Sequence, residues 1–381
     1  MDFAPSAEHK ELCAEVLRFA RAELNDGIEE RDRASRFPRE LWDKCGDMRL
    51  QGLMVPEEYG GVGLDPLGTA LVLESLGYGC RDAGLVFSIC AHLLACVVPI
   101  WKHGSEEQKR RYLPKLSSGE WIAVNGMTEP GSGSDAFAMR TRAVPRGDDF
   151  VLNGAKTFSS NGPVADVAVV YAATAPEKRV GGISCFLVEK GTPGFRAAQQ
   201  FEKLGLRTSS IGELLFEDCA LPQSALLGGV GAGETVFSES MAWERICLVA
   251  AHVGHMQRLL EQAVEHARTR QAFGKPIGKQ QAVSHRIADM KVRLEAARLL
   301  TYKAAWRLDR ARDIALDASI TKLYASEALL DSALDTVRVL GGTGFMEECD
   351  AARALRDAVG GVIYSGTSDI QRDIIARWLG L

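Results

Sequence analysis

Apolar residues recur at helical spacing along the first third of the chain. Leu12, Val16, Phe19 and Leu24 line one face, and Leu41 to Met48 and Gly68 to Leu76 form further stripes. Between them, Pro56-Glu57-Glu58-Tyr59-Gly60-Gly61-Val62-Gly63 reads as a loop, since paired glycines interrupt helix and strand alike. A long apolar helix is expected over Gly84 to Trp101. Ser105-Glu106-Glu107-Gln108 then has the form of an N-cap and first turn, leading into a helix from Lys109 to Leu116.

The pattern changes near residue 122. Short β-type runs follow, at Phe150-Val151-Leu152, Ala165 to Ala172, Ile183 to Val188 and Leu214-Leu215-Phe216. Turn signals stand between them at Asn153-Gly154, Asn161-Gly162 and Thr192-Pro193-Gly194. No helix fits between these strands, which favours an antiparallel barrel or sandwich over a parallel sheet. Helical periodicity returns over 234–268, 280–310, 314–340 and 368–379, with short connections, and predicts a four-helix bundle. The expected plan is α+β, with a helical domain over 1–121, a β-barrel over 122–232 and a helical bundle over 233–381.

The 381-residue length suits two or three domains, and 46% hydrophobic with 25% charged residues is ordinary globular composition. A net charge of −5 argues against a nucleic-acid footprint. No unbroken apolar run approaches the roughly 18 residues of a membrane span, and Met1 to Pro5 lacks a basic stretch leading into an apolar one. The nine cysteines are scattered without a Cys-x-x-Cys pair, mostly in apolar runs, as expected of reduced thiols in a cytoplasmic protein. The histidines show no ligand spacing, so no metal site is expected.

Chemistry enters at Glu244. It stands in a helical stretch whose neighbours one turn away are Ser240, Met241, Cys247 and Leu248. Turned inward, Glu244 is a desolvated acid whose pKa rises toward that of a general base; otherwise it pairs with Arg245 or Arg207. Thr128-Glu129-Pro130-Gly131-Ser132-Gly133-Ser134-Asp135 offers hydroxyls and backbone N–H groups that can cradle a phosphate or a cofactor edge, or is a decorated turn. A dinucleotide fingerprint is rejected there, because Arg142 to Leu152 is strand-like where a helix is required. Lys156-Thr157-Phe158-Ser159-Ser160-Asn161-Gly162 could present a ring and a hydroxyl, or is a simple hairpin. A strand-like or irregular piece ends at Ser365-Gly366-Thr367, and Ser368 with Gln371 forms a capping box opening the last helix.

Seven motifs in order carry a resemblance over essentially the whole chain: Pro56 to Gly61, Thr128 to Asp135, Asn153-Gly154-x-Lys156, Lys203-Leu204-Gly205-x-Arg207, Arg270-x-x-Phe273-Gly274, Leu340-Gly341-Gly342-x-Gly344, and Gly366-Thr367-Ser368-x-Ile370-Gln371-Arg372. The chain resembles an acyl-CoA dehydrogenase. The resemblance implies FAD between barrel and bundle, and a homotetramer of two dimers. It also implies an acyl-CoA or carrier-protein thioester substrate and an electron-transfer flavoprotein or another electron acceptor. It places Met127, Thr128, Gly133, Ser134, Phe158, Ser160, Thr367 and Asp369 at the cofactor. Arg270, Phe273, Gly341 and Gly342 would reach a neighbouring subunit's FAD, and Arg338 stands where some relatives carry glutamine. Ser134, Trp243, Arg245, Tyr364 and Gly366 fall to the substrate.

In that chemistry a carboxylate takes the α-proton while the β-hydrogen leaves as hydride, and donors stabilise the enolate-like oxygen. The backbone N–H of Ser365 would be one such donor, independent of its side chain. Many relatives carry the catalytic glutamate at this position, and a serine cannot serve. Another branch, of isovaleryl-type, long-chain-type and some carrier-bound prolyl enzymes, keeps its glutamate on the first bundle helix before an arginine, as Trp243-Glu244-Arg245 does here. The resemblance therefore assigns the base to Glu244. Alternatives are a dehydrogenase of a carrier-tethered acyl or aminoacyl group, a flavin oxidase, and a non-catalytic DNA-associated relative, for which the basic surface is missing.

Overall fold

The computed structural model describes residues 3–178, 181–311 and 313–381; Met1 and Asp2, part of the N-terminal reading, lie outside it. The first region folds as α1 (Ala7–Glu23), α2 (Ile28–Arg33), α3 (Arg39–Asp47), α4 (Pro66–Gly79), α5 (Ala83–His92), α6 (Val98–His103) and α7 (Glu106–Ser117). Side chains cap α4 and α7, the second as the sequence predicts. Asp65 accepts from the Gly68 N–H, and Ser105 and Gln108 close a reciprocal capping box.

The long apolar helix is α5 and α6 joined by a π turn, Leu93–Val97. Pro99 lies just beyond this turn and has no N–H to give the Ala95 carbonyl. The Asn125 amide takes that carbonyl instead, at 3.0 Å. By length and composition Ala83–His103 could cross a membrane, but 89% of its apolar window is buried inside the protein.

Eight strands form the middle: β1 (Ala123–Gly126), β2 (Arg142–Arg146), β3 (Asp149–Ser160), β4 (Val167–Ala173), β5 (Ile183–Glu189), β6 (Phe195–Gln200), β7 (Ile211–Leu221) and β8 (Leu226–Leu227). They make one sheet in the order β6-β7-β3-β2-β4-β5-β8, with β1 beside β4. This corrects the expected antiparallel barrel in two ways. The sheet stays open, because exposed β6 and two-residue β8 end it without pairing each other. It is also mixed, since β1 and β2 run parallel to β4. β4 is buried on both faces. Ala168 and Val170 face the sheet's own core, while Val169 and Tyr171 join the helical core.

The turn signals also need correcting. Asn153-Gly154 lies inside β3 at a bulge, where Gly154 has φ +148° and an added Cβ would come within 2.4 Å of Thr141 Oγ1. Asn161-Gly162 and Thr192-Pro193-Gly194 lie between strands that do not pair. The β2–β3 hairpin turns instead at Gly147-Asp148, within the stretch expected as one strand.

The last region comprises α8 (Gly233–Trp243), α9 (Val249–Thr269), a short hairpin of β9 (Gln271–Ala272) and β10 (Lys275–Pro276), α10 (Gln281–Leu308), α11 (Ala315–Leu340), α12 (Gly342–Phe345), α13 (Asp350–Gly361) and α14 (Ser368–Trp378). Helices α9, α10 and α11 pack on one another, and α13 and α14 lie against α11. The α13 helix replaces the strand-like piece expected before Ser365. Its Ala351, Leu355 and Ala358 form the inward stripe. A second π turn, Glu244–Leu248, joins α8 to α9 and packs against the π turn of the α5–α6 rod. π turns concentrate at functional sites.

Candidate active site

Glu244 opens that second π turn. Ser240, Met241, Cys247 and Leu248 around it are all buried, and Glu244 itself is 8% exposed. Among the described residues neither arginine comes within ion-pair distance of Glu244, the pairing left open by the sequence. Arg245 Nε donates to the Ser365 carbonyl at 3.0 Å, and Arg207 Nε to the Lys203 carbonyl at 3.2 Å. The Ser365 hydroxyl donates to Glu244 Oε1, while Oε2 is buried without a hydrogen-bond partner among the described residues. Burial pushes the Glu244 carboxyl above the ordinary range, and the Ser365 hydroxyl, Arg245 and Lys322 act against it. Lys322 is itself a buried amine without a hydrogen-bond partner among the described residues, pushed down to about 8 chiefly by burial.

Ser365 follows α13 in a loop of left-handed backbone, with φ +56° at Ser365 and +85° at Gly366. Gln371 Nε2 reaches back to the carbonyls of Ser365 at 3.2 Å and Gly366 at 2.9 Å. The positive φ at 366 favours glycine, and a Cβ there would also come within 2.6 Å of the Gln371 amide nitrogen and disturb its hold on the loop. The expected Ser368–Gln371 capping box is not formed. Thr367 is the cap, accepting from the Ile370 N–H at 3.2 Å, because Gln371 is committed to the loop and Ser368 is already helical. The Ser365 N–H finds no backbone acceptor among the described residues.

From Glu244 a cleft of about 1670 Å³ runs between the sheet and the C-terminal helices. One wall is Met127, Thr128, Gly133 and Ser134; another is Phe158 and Ser160; Trp243, Arg245, Tyr364, Gly366 and Thr367 complete it. The second bulge of β3, between Lys156 and Ser159, turns Phe158 out at φ +53°, where it is 63% exposed beside Phe201. Sequence reasoning missed what holds this wall. The fully buried Lys156 ammonium bonds Glu129 Oε1 at 2.8 Å and the Met127 carbonyl at 3.1 Å, tying β3 to the start of the Thr128 loop. Glu129 also accepts from the N–H groups of Arg140 and Thr141. Burial lowers Lys156 to about 8 despite its partner.

Phe87 and Tyr364, ring centroids 4.7 Å apart, line both this cleft and a second cavity of about 410 Å³. The Tyr364 hydroxyl and His252 Nε2 are 2.7 Å apart beside that second cavity. Several expected residues are not brought to the cleft. Arg270 is exposed, and Phe273 is 94% exposed at the β9–β10 turn. Gly341 and Gly342 are open, Arg338 pairs with Asp335 at 3.3 Å, and Asp369 with Arg372 at 3.0 Å.

Family models described as acyl-CoA dehydrogenase N-terminal, middle and C-terminal domains match residues 6–120, 125–219 and 231–380. The L-prolyl-[peptidyl-carrier protein] dehydrogenase of Pseudomonas fluorescens is 46% identical over 382 residues, covering all of both chains. The solved structure of PigA with FAD and proline is 42% identical, with a TM-score of 0.98 over all of both chains. That of the prolyl acyl carrier protein oxidase AnaB is 40% identical, with a TM-score of 0.97 over 99% of this chain and all of the other.

Proposed function

The chain belongs to the acyl-CoA dehydrogenase family, and from that premise we propose that it oxidises a prolyl group held as a thioester on a carrier protein, with FAD as cofactor and Glu244 as base. One observation carries the reading. A buried carboxylate in the cleft wall has one oxygen held by Ser365 and the other without a partner among the described residues, where a thioester's α-hydrogen can be presented to it.

The cleft fits the cofactor. The hydroxyls of Thr128, Ser134, Ser160 and Thr367 and the exposed Phe158 ring line it, and a Cβ on Gly133 would meet open space. These residues, with Met127, would hold FAD, which when bound supplies the acceptor for the hydride leaving the β-carbon; Asp369, expected there too, is turned to Arg372 instead. Glu244 Oε2 takes the α-proton. The Ser365 N–H donates to the thioester carbonyl as negative charge develops on it. Trp243, Arg245 and Gly366 border the acyl group. Phe87 and Tyr364 wall the cleft from the second cavity, which suits a short, ring-sized group better than a long chain. We take 1–121, 122–232 and 233–381 as the three domains, with α9, α10, α11 and α14 as the bundle. In a tetramer the exposed Arg270, Phe273, Arg338, Gly341 and Gly342 would serve a neighbouring copy's cofactor.

Anaerobic titration of the yellow protein with prolyl-carrier thioester and a panel of acyl-CoA thioesters tests this. The prolyl carrier should bleach the flavin at least tenfold faster than any acyl-CoA, and Glu244→Gln should retain FAD while losing bleaching by about a thousandfold or more. Normal bleaching by Glu244→Gln would overturn the assignment of the base. Oxygen uptake on re-aeration separates an oxidase from a dehydrogenase serving an electron-transfer flavoprotein.

A further inference from the structure

We propose that the side chain of Ser365 is a positioning residue for Glu244: its hydroxyl fixes the rotation of the carboxylate, so that Oε2 alone is left to receive the proton. This rests on Glu244 being the base and goes beyond it, because the resemblance assigned Ser365 a backbone role only.

Ionisable groups from several elements act on Glu244 electrostatically. Arg245 shares its turn, Lys322 projects from α11, Tyr364 from the loop after α13, Cys90 from α5 and Cys96 from the first π turn. Among the described residues, the hydrogen bond to this carboxylate comes from Ser365. A carboxylate with one oxygen held presents the other in a fixed direction, and it gives up less rotational freedom on reaching the transition state.

The loop is built to hold that hydroxyl still. Arg245 from one side and Gln371 from the other clamp the Ser365 carbonyl. The residue keeps φ +56°, a conformation that glycine adopts freely and a serine adopts only at a cost. Strain held between two clamps beside a buried acid points to a use for the side chain. A hydroxyl suits both states of the base. It stabilises the ionised carboxylate against burial, and it still donates to Oε1 once the α-proton has moved from the substrate carbon to Oε2.

Ser365→Gly and Ser365→Ala, beside Glu244→Gln, test the idea. Glycine removes the hydroxyl and the strain together, so it folds even where alanine does not. Three quantities are read: the pH profile of kcat, the exchange of the substrate α-hydrogen in heavy water, and the infrared carboxyl band absent from Glu244→Gln. Without the hydroxyl, the acid limb of kcat and the infrared midpoint should both move up by about one pH unit, with KM changing less than kcat. If Ser365→Gly keeps the native midpoints while Glu244→Gln abolishes exchange, the positioning role falls and the base stands. If Glu244→Gln exchanges normally, the base fails and the positioning role falls with it.

Discussion

Lys156 shows how far a single buried side chain reaches. Its ammonium has no exposure and its Glu129 partner only 5%, so removing one member strands the other charge in the interior. Lys156→Met should cost about 3–5 kcal/mol in urea unfolding and weaken FAD binding, because the Met127–Glu129 segment loses its tie to β3. A Lys156→Met, Glu129→Leu double variant should recover part of the stability and little of the binding. Neither residue announced this role in the sequence. Both lay inside motifs, but the pair is 27 positions apart and depends on the path of β3. Glu244 was more legible, because its apolar neighbours follow helical spacing. Its partner was not, since a serine after a tyrosine carries no periodic signal.

At the scale of elements, α4 and α9 meet backbone to backbone. A Cβ on Gly254 would lie 2.1 Å from the Glu74 carbonyl oxygen, and one on Gly77 2.4 Å from that of Ala251. Backbone atoms cannot swing aside as a flexible side chain does. Gly254→Ala should therefore destabilise the protein by about 1–3 kcal/mol through overpacking, and thermal unfolding should show it as a lowered Tm. Spreading this seam also shifts the π turn that carries Glu244, so kcat should fall with stability. Helical periodicity located both helices, because an inward stripe repeats locally. It did not locate the glycine contact. The strand signals were less reliable for a related reason. Asn-Gly supplies positive φ, which a bulge within β3 needs as much as a hairpin turn does.

Across the whole molecule, buried histidines couple the regions to pH. His92 Nδ1 accepts the Ala123 N–H at 3.0 Å, and its Nε2 lies 3.1 Å from the Leu116 carbonyl, joining the α5 helix, α7 and β1. Burial lowers His92 from 6.5 to about 4, and His252 from 6.5 to about 3. Their folded-state values lie below the unfolded ones, so the unfolded chain binds protons that the folded chain refuses. The stability they contribute is complete above pH 6.5 and is lost as pH falls toward about 4 for His92 and about 3 for His252. Urea midpoints measured down this window should show a loss approaching about 1.4 kcal/mol per pH unit for each histidine, and His92→Gln should flatten the slope. The order of helices, strands and helices followed from the sequence, because period and turn composition are local properties. So did the motif set that marks the family, the serine at 365 and the carboxylate at 244. Only the tertiary structure decided that the sheet stays open, and that Ser365 meets Glu244 across 121 residues. It also decided that Oε2 is left buried without a partner among the described residues. Burial, pairing and direction arise where distant segments pack, and no window along the chain contains them.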